Sequence, residues 1–120
     1  MKSKYLIYFL VIACFASCSY NNEDDLTEDI IIEDVVTYDD NIKAIIDTNC
    51  ILCHSNPPVN GAPMPLTTFE NVRDAVENRD LIARISTTDI GFVMPLGGPR
   101  LPQNLIDLVI QWQEEGLLEN

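Results

Sequence analysis

Basic residues are scarce in this sequence: its 120 residues contain seven Lys and Arg against 19 Asp and Glu, a formal net charge of −12 at pH 7. Proteins that bind nucleic acids contact phosphates with clustered Lys and Arg, so this composition argues against that class. The length suits one domain and leaves no room for several membrane spans. The sequence thus excludes nucleic-acid binders, multidomain enzymes and multi-span membrane proteins.

Strand patterns are also missing. Beyond residue 37, apolar and polar residues do not alternate over a length that would make a useful β-strand. Apolar residues recur instead at helical spacing in four segments, which loops rich in Pro and Gly separate. The sequence therefore predicts an all-α domain with about four helices.

The first predicted helix runs into Cys50, and the last begins near Pro102 and stops at Gly116. Proline suits the first turn of a helix, and glycine suits the position that follows its end. The predicted apolar faces are, in chain order, Ile42, Ile45 and Ile46; Phe69, Val72 and Val76; Leu81, Ile82 and Ile85; and Leu105, Ile106, Val109 and Ile110.

Capping residues mark the starts of the first two helices. Asp39 or Asp40 can cap the first helix, because a short side-chain oxygen can accept an unpaired backbone N–H there. Thr67 or Thr68 can cap the second. If Thr67 is the cap, Glu70 stands three residues later, where it would complete a capping box.

The amino-terminal residues 1–17 have the pattern of a signal peptide. Lys2 and Lys4 precede an apolar run at residues 5–16, whose 12 residues are short for a bilayer span of about 20. The run ends just before Cys18, and this resembles a bacterial lipoprotein signal in which the cysteine is lipidated. Cys14 matches the same pattern, but cleavage there would leave an apolar stub; an ordinary secretory signal is a further alternative.

Residues 18–37 form a predicted acidic tether, followed by a domain at 38–120. Such an acidic block is usually a solvated linker. It also looks like the signal that sends some Bacteroidetes lipoproteins to the outer cell surface. We therefore expect a lipid-anchored protein of the bacterial cell envelope, in the outer membrane, on its periplasmic or surface face.

One motif carries chemistry: Cys50, Cys53 and His54 form C-x-x-C-H, the attachment site for c-type haem. Two thiols three residues apart on a helical turn can each form a thioether with a vinyl group of the porphyrin. The histidine that follows then supplies an imidazole nitrogen to the iron. The motif predicts one covalent haem c, and the signal peptide independently indicates an extracytoplasmic compartment.

Other interpretations of the motif are weaker. A structural zinc site usually takes four Cys or His ligands, and the domain has only Cys50, Cys53 and His54. A thioredoxin-like redox pair belongs in a strand–helix–strand frame, which the sequence lacks. A disulfide between the two cysteines would close too short a loop to stabilise much.

The second axial ligand cannot be a histidine of this chain, because His54 is the only one. After removal of the signal, Met64 and Met94 are the remaining thioethers. Met64 lies ten residues beyond His54, whereas Met94 lies 40 residues beyond it in the second Pro/Gly loop. Pro95 favours an extended Met94, so we expect Met94 to bind the iron and Met64 to fill the core.

At this point the chain resembles the small class I cytochromes c over about residues 38–118, most closely the short domains of Bacteroidetes and Planctomycetes. Beyond C-x-x-C-H, the segments that carry the resemblance are Pro65-Leu66-Thr67-Thr68-Phe69, Arg84-Ile85, Met94-Pro95 and Trp112-Gln113-Glu114-Glu115-Gly116. The resemblance implies the class I fold, with about four helices around one covalent haem. It also implies that the first and last helices cross, so that Ile42, Ile45 and Ile46 meet Val109 and Trp112.

The resemblance also suggests how the haem periphery is held. The carbonyl of Pro63 or Pro65 would accept the second ring proton of His54, which fixes the imidazole. Arg84 or Arg100 would bind a haem propionate; the alternative for each is a solvated surface charge.

With both axial positions filled, the expected task is outer-sphere electron transfer in the cell envelope, by a carrier that is not an enzyme. The acidic surface favours redox partner proteins with a basic docking patch. The alternatives are a haem-bearing subunit or sensor of a larger oxidoreductase, in which Met94 swings away, and a haem-free zinc-binding surface module.

Overall fold

The computed structural model describes residues 35–120, and this part of the chain is helical and without strands. A π-helical turn, Tyr38–Ile42, continues directly into α1, Lys43–Asn49; the other helices are α2, Phe69–Asn78, α3, Leu81–Ser86, and α4, Gln103–Glu114. The prediction of an all-α domain with about four helices is confirmed. No helix in this range is long and apolar enough to cross a membrane.

The start of the first helical segment differs from the prediction. Thr37, rather than Asp39 or Asp40, is the cap: its backbone is extended (φ −119°, ψ 162°), and its hydroxyl accepts the N–H of Asp40 at 3.3 Å. The Asn41 side chain accepts the N–H of Thr37 at 3.0 Å. The extra π-helical turn places Asp39 and Asp40 in the first turn, where the positive end of the helix dipole stabilises their carboxylates.

Thr68 is the cap of α2. Its extended backbone (φ −131°, ψ 161°) presents the hydroxyl to the N–H of Asn71 at 3.3 Å. Because Thr67 is not the cap, Glu70 falls one position short of a capping box. The pKa of Glu70 is instead held below its usual value by hydrogen bonds to its carboxylate. The larger contribution comes from its own backbone N–H and the smaller from the Thr68 hydroxyl.

The last helix follows Pro102, which is the residue before the first helical turn and not within it. Gly116 ends the helix as predicted: its φ of +97° lies in the left-handed region that glycine adopts without strain. Its N–H donates to the carbonyl of Gln113 at 3.2 Å, and that of Leu117 donates to the carbonyl of Trp112 at 2.9 Å. These bonds turn the chain back along α4.

One buried cluster joins the first and last helical segments. It contains Ile42, Ile45, Ile46, Val109 and Trp112, the residues that the resemblance implied would meet. Trp112 is completely buried. Its ring centroid lies 6.1 Å from that of Tyr38 and 6.3 Å from that of Phe69, and the latter two are 5.6 Å apart.

The chain on either side of this cluster is tied together by hydrogen bonds. The carbonyl of Leu118 accepts both the indole N–H of Trp112 at 2.8 Å and the backbone N–H of Tyr38 at 2.9 Å. Val36 is buried and donates its N–H to the Glu115 carboxylate at 2.6 Å, whereas Val35 is exposed. Within the described residues, packing thus begins at Val36, in the segment assigned from sequence to the tether. The predicted signal peptide, Cys14 and Cys18 lie outside the described residues.

We expect Thr68→Ala to lower the free energy of unfolding by about 1 kcal/mol, because it removes the hydroxyl that satisfies the first turn of α2. Thr67→Ala is the matched control and should cost clearly less. Urea denaturation of the two variants measures the difference. Equal losses would show that the Thr68 hydroxyl does not act as the cap.

Candidate functional site

The described residues line a partly open cavity of about 630 Å³. This volume is within the usual range of cofactor and small-molecule sites. Its wall comes from the end of α1 and the loop that follows, the corner between α2 and α3, and the loop before α4. The apolar part of the lining includes Leu52, Leu66, Leu81, Ile85 and Leu101. Four residues that the sequence assigns to one site, Cys50, Cys53, His54 and Met94, all line this cavity.

The turn after α1 delivers the first three of these residues. Cys50 continues the helix by donating its N–H to the carbonyl of Ile46 at 2.8 Å. Its own carbonyl accepts the N–H of Cys53 at 3.2 Å and of His54 at 3.0 Å. This tight turn is why residues three and four positions apart reach the same cavity.

The imidazole of His54 is held by one of its nitrogens. Nδ1 lies 2.8 Å from the carbonyl oxygen of Met64 and must donate to it, since a carbonyl only accepts. The expected acceptor was the carbonyl of Pro63 or Pro65; it is that of the residue between them. The N–H of Leu66 donates to the His54 carbonyl at 2.8 Å, which fixes the same stretch of loop. Nε2 is therefore the nitrogen left with a free lone pair.

The two thiols are separate, not joined as a disulfide. Burial raises the pKa of the Cys50 thiol to about 11, so it stays neutral at pH 7. A redox-active dithiol depends on a thiolate of low pKa, so this environment does not favour a thioredoxin-like pair. The amide of Asn60, a residue that the sequence did not single out, lies 3.6 Å from the sulfur of Cys53.

Met94 reaches the cavity from the second Pro/Gly loop. Its N–H donates to the carbonyl of Arg84 at 2.9 Å, and the N–H of Leu101 donates to that of Ile85 at 3.3 Å. Both acceptors belong to the last turn of α3, whose carbonyls have no partner within the helix. The loop that carries Met94 is therefore fastened to the end of α3.

Two arginines line the cavity. Arg84 is one of the two candidates from sequence; the other, Arg100, donates to the carbonyl of Ser86 at 3.0 Å and is not part of the lining. Arg79, at the corner between α2 and α3, lines the cavity although nothing in the sequence singled it out. The Nε of Arg79 lies 3.3 Å from Oδ2 of Asp74, and both side chains are about half exposed. In the sequence, the only signal for Arg79 is its position in the short link between the second and third helices.

Within residues 35–120, no three His, Cys, Asp or Glu side chains are arranged to hold a metal ion, and this includes Cys50, Cys53 and His54. The zinc interpretation therefore gains no ligand set from this part of the chain. Comparison with known proteins finds no matching family model, no similar curated protein and no similar solved structure.

Proposed function

We propose that the chain is a mono-haem c-type cytochrome of the class I fold, which transfers electrons in the bacterial cell envelope. Its single haem c would be attached to Cys50 and Cys53 and bound through iron by His54 and Met94. The observation that carries this proposal is that these four residues, from two loops far apart in sequence, line one cavity of about 630 Å³.

The donor set fits the cofactor. Cys50 and Cys53 are free thiols on one turn, as attachment through two thioethers requires. The hydrogen bond from Nδ1 of His54 to the Met64 carbonyl orients the ring and leaves Nε2 as the donor to iron. The apolar side chains of the wall would exclude water from the part of the porphyrin that they contact, and low polarity around the haem raises its reduction potential.

Met94 is a better candidate than Met64 for the second axial position. The carbonyl of Met64 is bonded to the His54 ring, so the backbone of Met64 belongs to the histidine side of the site. Met64 also lines the cavity, and its side chain is partly buried against the hydrophobic core. Met94 comes from a different loop, which is hydrogen-bonded to α3, so it can approach the iron from a part of the chain that does not hold His54.

The haem would supply a one-electron couple between ferric and ferrous iron. The residues of the chain hold it, exclude water and set its potential, with methionine favouring the ferrous form. Arg79 and Arg84 both line the cavity. Arg79 is the cation available to pair with a haem carboxylate, because the guanidinium of Arg84 lies over the ring of Phe92. With His54 and Met94 as axial ligands, outer-sphere transfer and not substrate conversion is the expected activity.

A second candidate is a haem-bearing subunit or sensor within a larger oxidoreductase. Leu52 and Leu96 are consistent with both candidates: both line the cavity, and their residue surfaces are 85% and 73% exposed. Large apolar side chains beside a site mark surfaces that contact other proteins. A permanent partner would cover them, as would a transient redox partner.

The location in the cell envelope rests on the amino-terminal sequence. Residues 1–17 as a lipoprotein signal and Cys18 as the lipidated residue would anchor the protein in the outer membrane, on its periplasmic or surface face. Removal of the signal leaves five basic residues against 19 acidic ones, which supports redox partners that carry a basic patch.

Protein produced in a host with cytochrome c maturation should be coloured and should carry one covalent haem. A pyridine haemochrome spectrum of the thioether type and the intact mass measure this directly. The double variant Cys50→Ser, Cys53→Ser should lose the covalent haem, whereas Met94→Ala should retain it. Colourless wild-type protein without added mass would overturn the proposal.

Met94→Ala should lower the reduction potential and raise the affinity of the reduced protein for carbon monoxide by tenfold or more, because an axial ligand worth at least about 1.4 kcal/mol is removed. Met64→Ala is the matched control, with little expected effect on either quantity. Potentiometric titration and carbon monoxide titration provide the measurements. The opposite ranking of the two variants would reassign the ligand to Met64.

Electron transfer to a small cationic oxidant should slow as salt rises from 0.01 to 1 M, because the Debye length shrinks from about 30 to about 3 Å. Transfer to an anionic oxidant of similar potential should speed up over the same range. Stopped-flow absorbance of the haem measures both rates. A reversed pattern would mean that Arg79 and Arg84 dominate the local field at the cavity, and a partner with an acidic patch would then be expected.

A further inference from the structure

The loop that carries Met94 is attached to α3 at three points. The last carbonyls of this helix accept hydrogen bonds from Met94, Leu101 and the Arg100 side chain, at 2.9, 3.3 and 3.0 Å. Two of these bonds come from backbone N–H groups, which every non-proline residue offers. They hold the loop whatever side chains it carries.

The side chain of Arg84 contacts the same loop. Its guanidinium carbon lies 4.2 Å from the centre of the Phe92 ring, within the range of a cation–π interaction. Its carbonyl at the same time accepts the N–H of Met94. Val93, between the two loop residues, is buried at 2% exposure. Arg84 thus contacts the loop at two places: its guanidinium contacts Phe92, and its carbonyl binds the N–H of Met94.

Within the described part of the chain, the Arg84 side chain contacts the Phe92 ring and takes part in no ion pair. The ion pairs found there are Lys43–Asp47, Arg73–Glu77 and Arg79–Asp74, and none includes Arg84. Phe92 is itself held by a turn, since its N–H donates to the carbonyl of Asp89 at 2.9 Å. The cation therefore meets a ring whose backbone is already fixed.

We propose that Arg84 and Phe92 form a latch that positions Met94, so that the strength of their contact sets how often Met94 leaves the sixth coordination position. This inference rests on the proposed function, because it takes Met94 as an axial ligand. Both latch residues act through Met94 and are positioning residues. An external ligand can bind iron only when Met94 is away, so its apparent affinity reports the open fraction.

Imidazole titration of the ferric holoprotein tests the latch. Phe92→Leu keeps an apolar side chain but removes the π face, and should raise imidazole affinity by roughly 2- to 30-fold, the factor that corresponds to a cation–π contact of about 0.5–2 kcal/mol. Phe92→Tyr keeps an aromatic face and should stay near wild type. Arg73→Gln, in an exposed ion pair on α2, is the control and should have no effect.

Arg84→Gln should raise the affinity by a factor similar to that of Phe92→Leu, and the double variant should add little, because both changes break one contact. Arg84→Lys should recover part of the wild-type behaviour by restoring a cation. If Phe92→Leu does not accumulate as folded protein, the comparison of Arg84→Gln with Arg84→Lys applies the same test.

The outcomes separate the latch from the ligand assignment. If Met94→Ala raises imidazole affinity and the latch variants do not, the latch is wrong and Met94 remains the ligand. A fall in thermal stability of Phe92→Leu at unchanged affinity also overturns the latch, since it shows a purely structural role. If Met94→Ala itself leaves the affinity unchanged, the ligand assignment fails, and the latch fails with it.

Discussion

The buried contact between Trp112 and Tyr38 fixes the direction in which the first helical segment runs. Tyr38 begins that segment and Cys50 follows its end, so the aromatic cluster at one end determines where the thiols lie at the other. The Leu118 carbonyl binds both residues and joins the two termini of the domain. The aromatic cluster thus lies away from the cavity, whereas Leu66, Leu81, Ile85 and Leu101 belong both to the same buried core and to the cavity wall.

This arrangement separates the attachment of the amino-terminal segment from the candidate site. The stretch from Tyr38 to Asn49 contains 12 residues, about 18 Å at helical rise. Val36 enters at its beginning, and none of Val36, Tyr38 and Trp112 lines the cavity. An anchor upstream of Val36 would thus hold the domain by the end remote from the cavity, which would leave the candidate site free to meet a partner.

Local signals in the sequence were enough for much of this structure. The C-x-x-C-H turn, the cap at Thr67 or Thr68 and the stop at Gly116 each depend on a few neighbouring residues, and periodicity located all four helices. Three features could not be foreseen. Thr37 is the cap because a π-helical turn lengthens the first segment. The carbonyl that accepts the His54 ring proton is that of Met64, and this depends on the direction of the loop. Arg79 reaches the cavity because it lies at the corner between α2 and α3. Each is decided by backbone geometry that residue types do not specify.

Charge is distributed in a way that fits two stages of partner binding. Between Asp47 and Glu70 the sequence contains no Asp, Glu, Lys or Arg, so the loop that walls the cavity is uncharged apart from any proton on His54. The acidic residues lie outside this loop and, under the proposed function, would steer a basic partner at long range. At contact, this loop and the exposed Leu52 would present little charge to desolvate. Under the proposed function, attraction and close approach thus depend on different parts of the chain, and either can change without loss of the other.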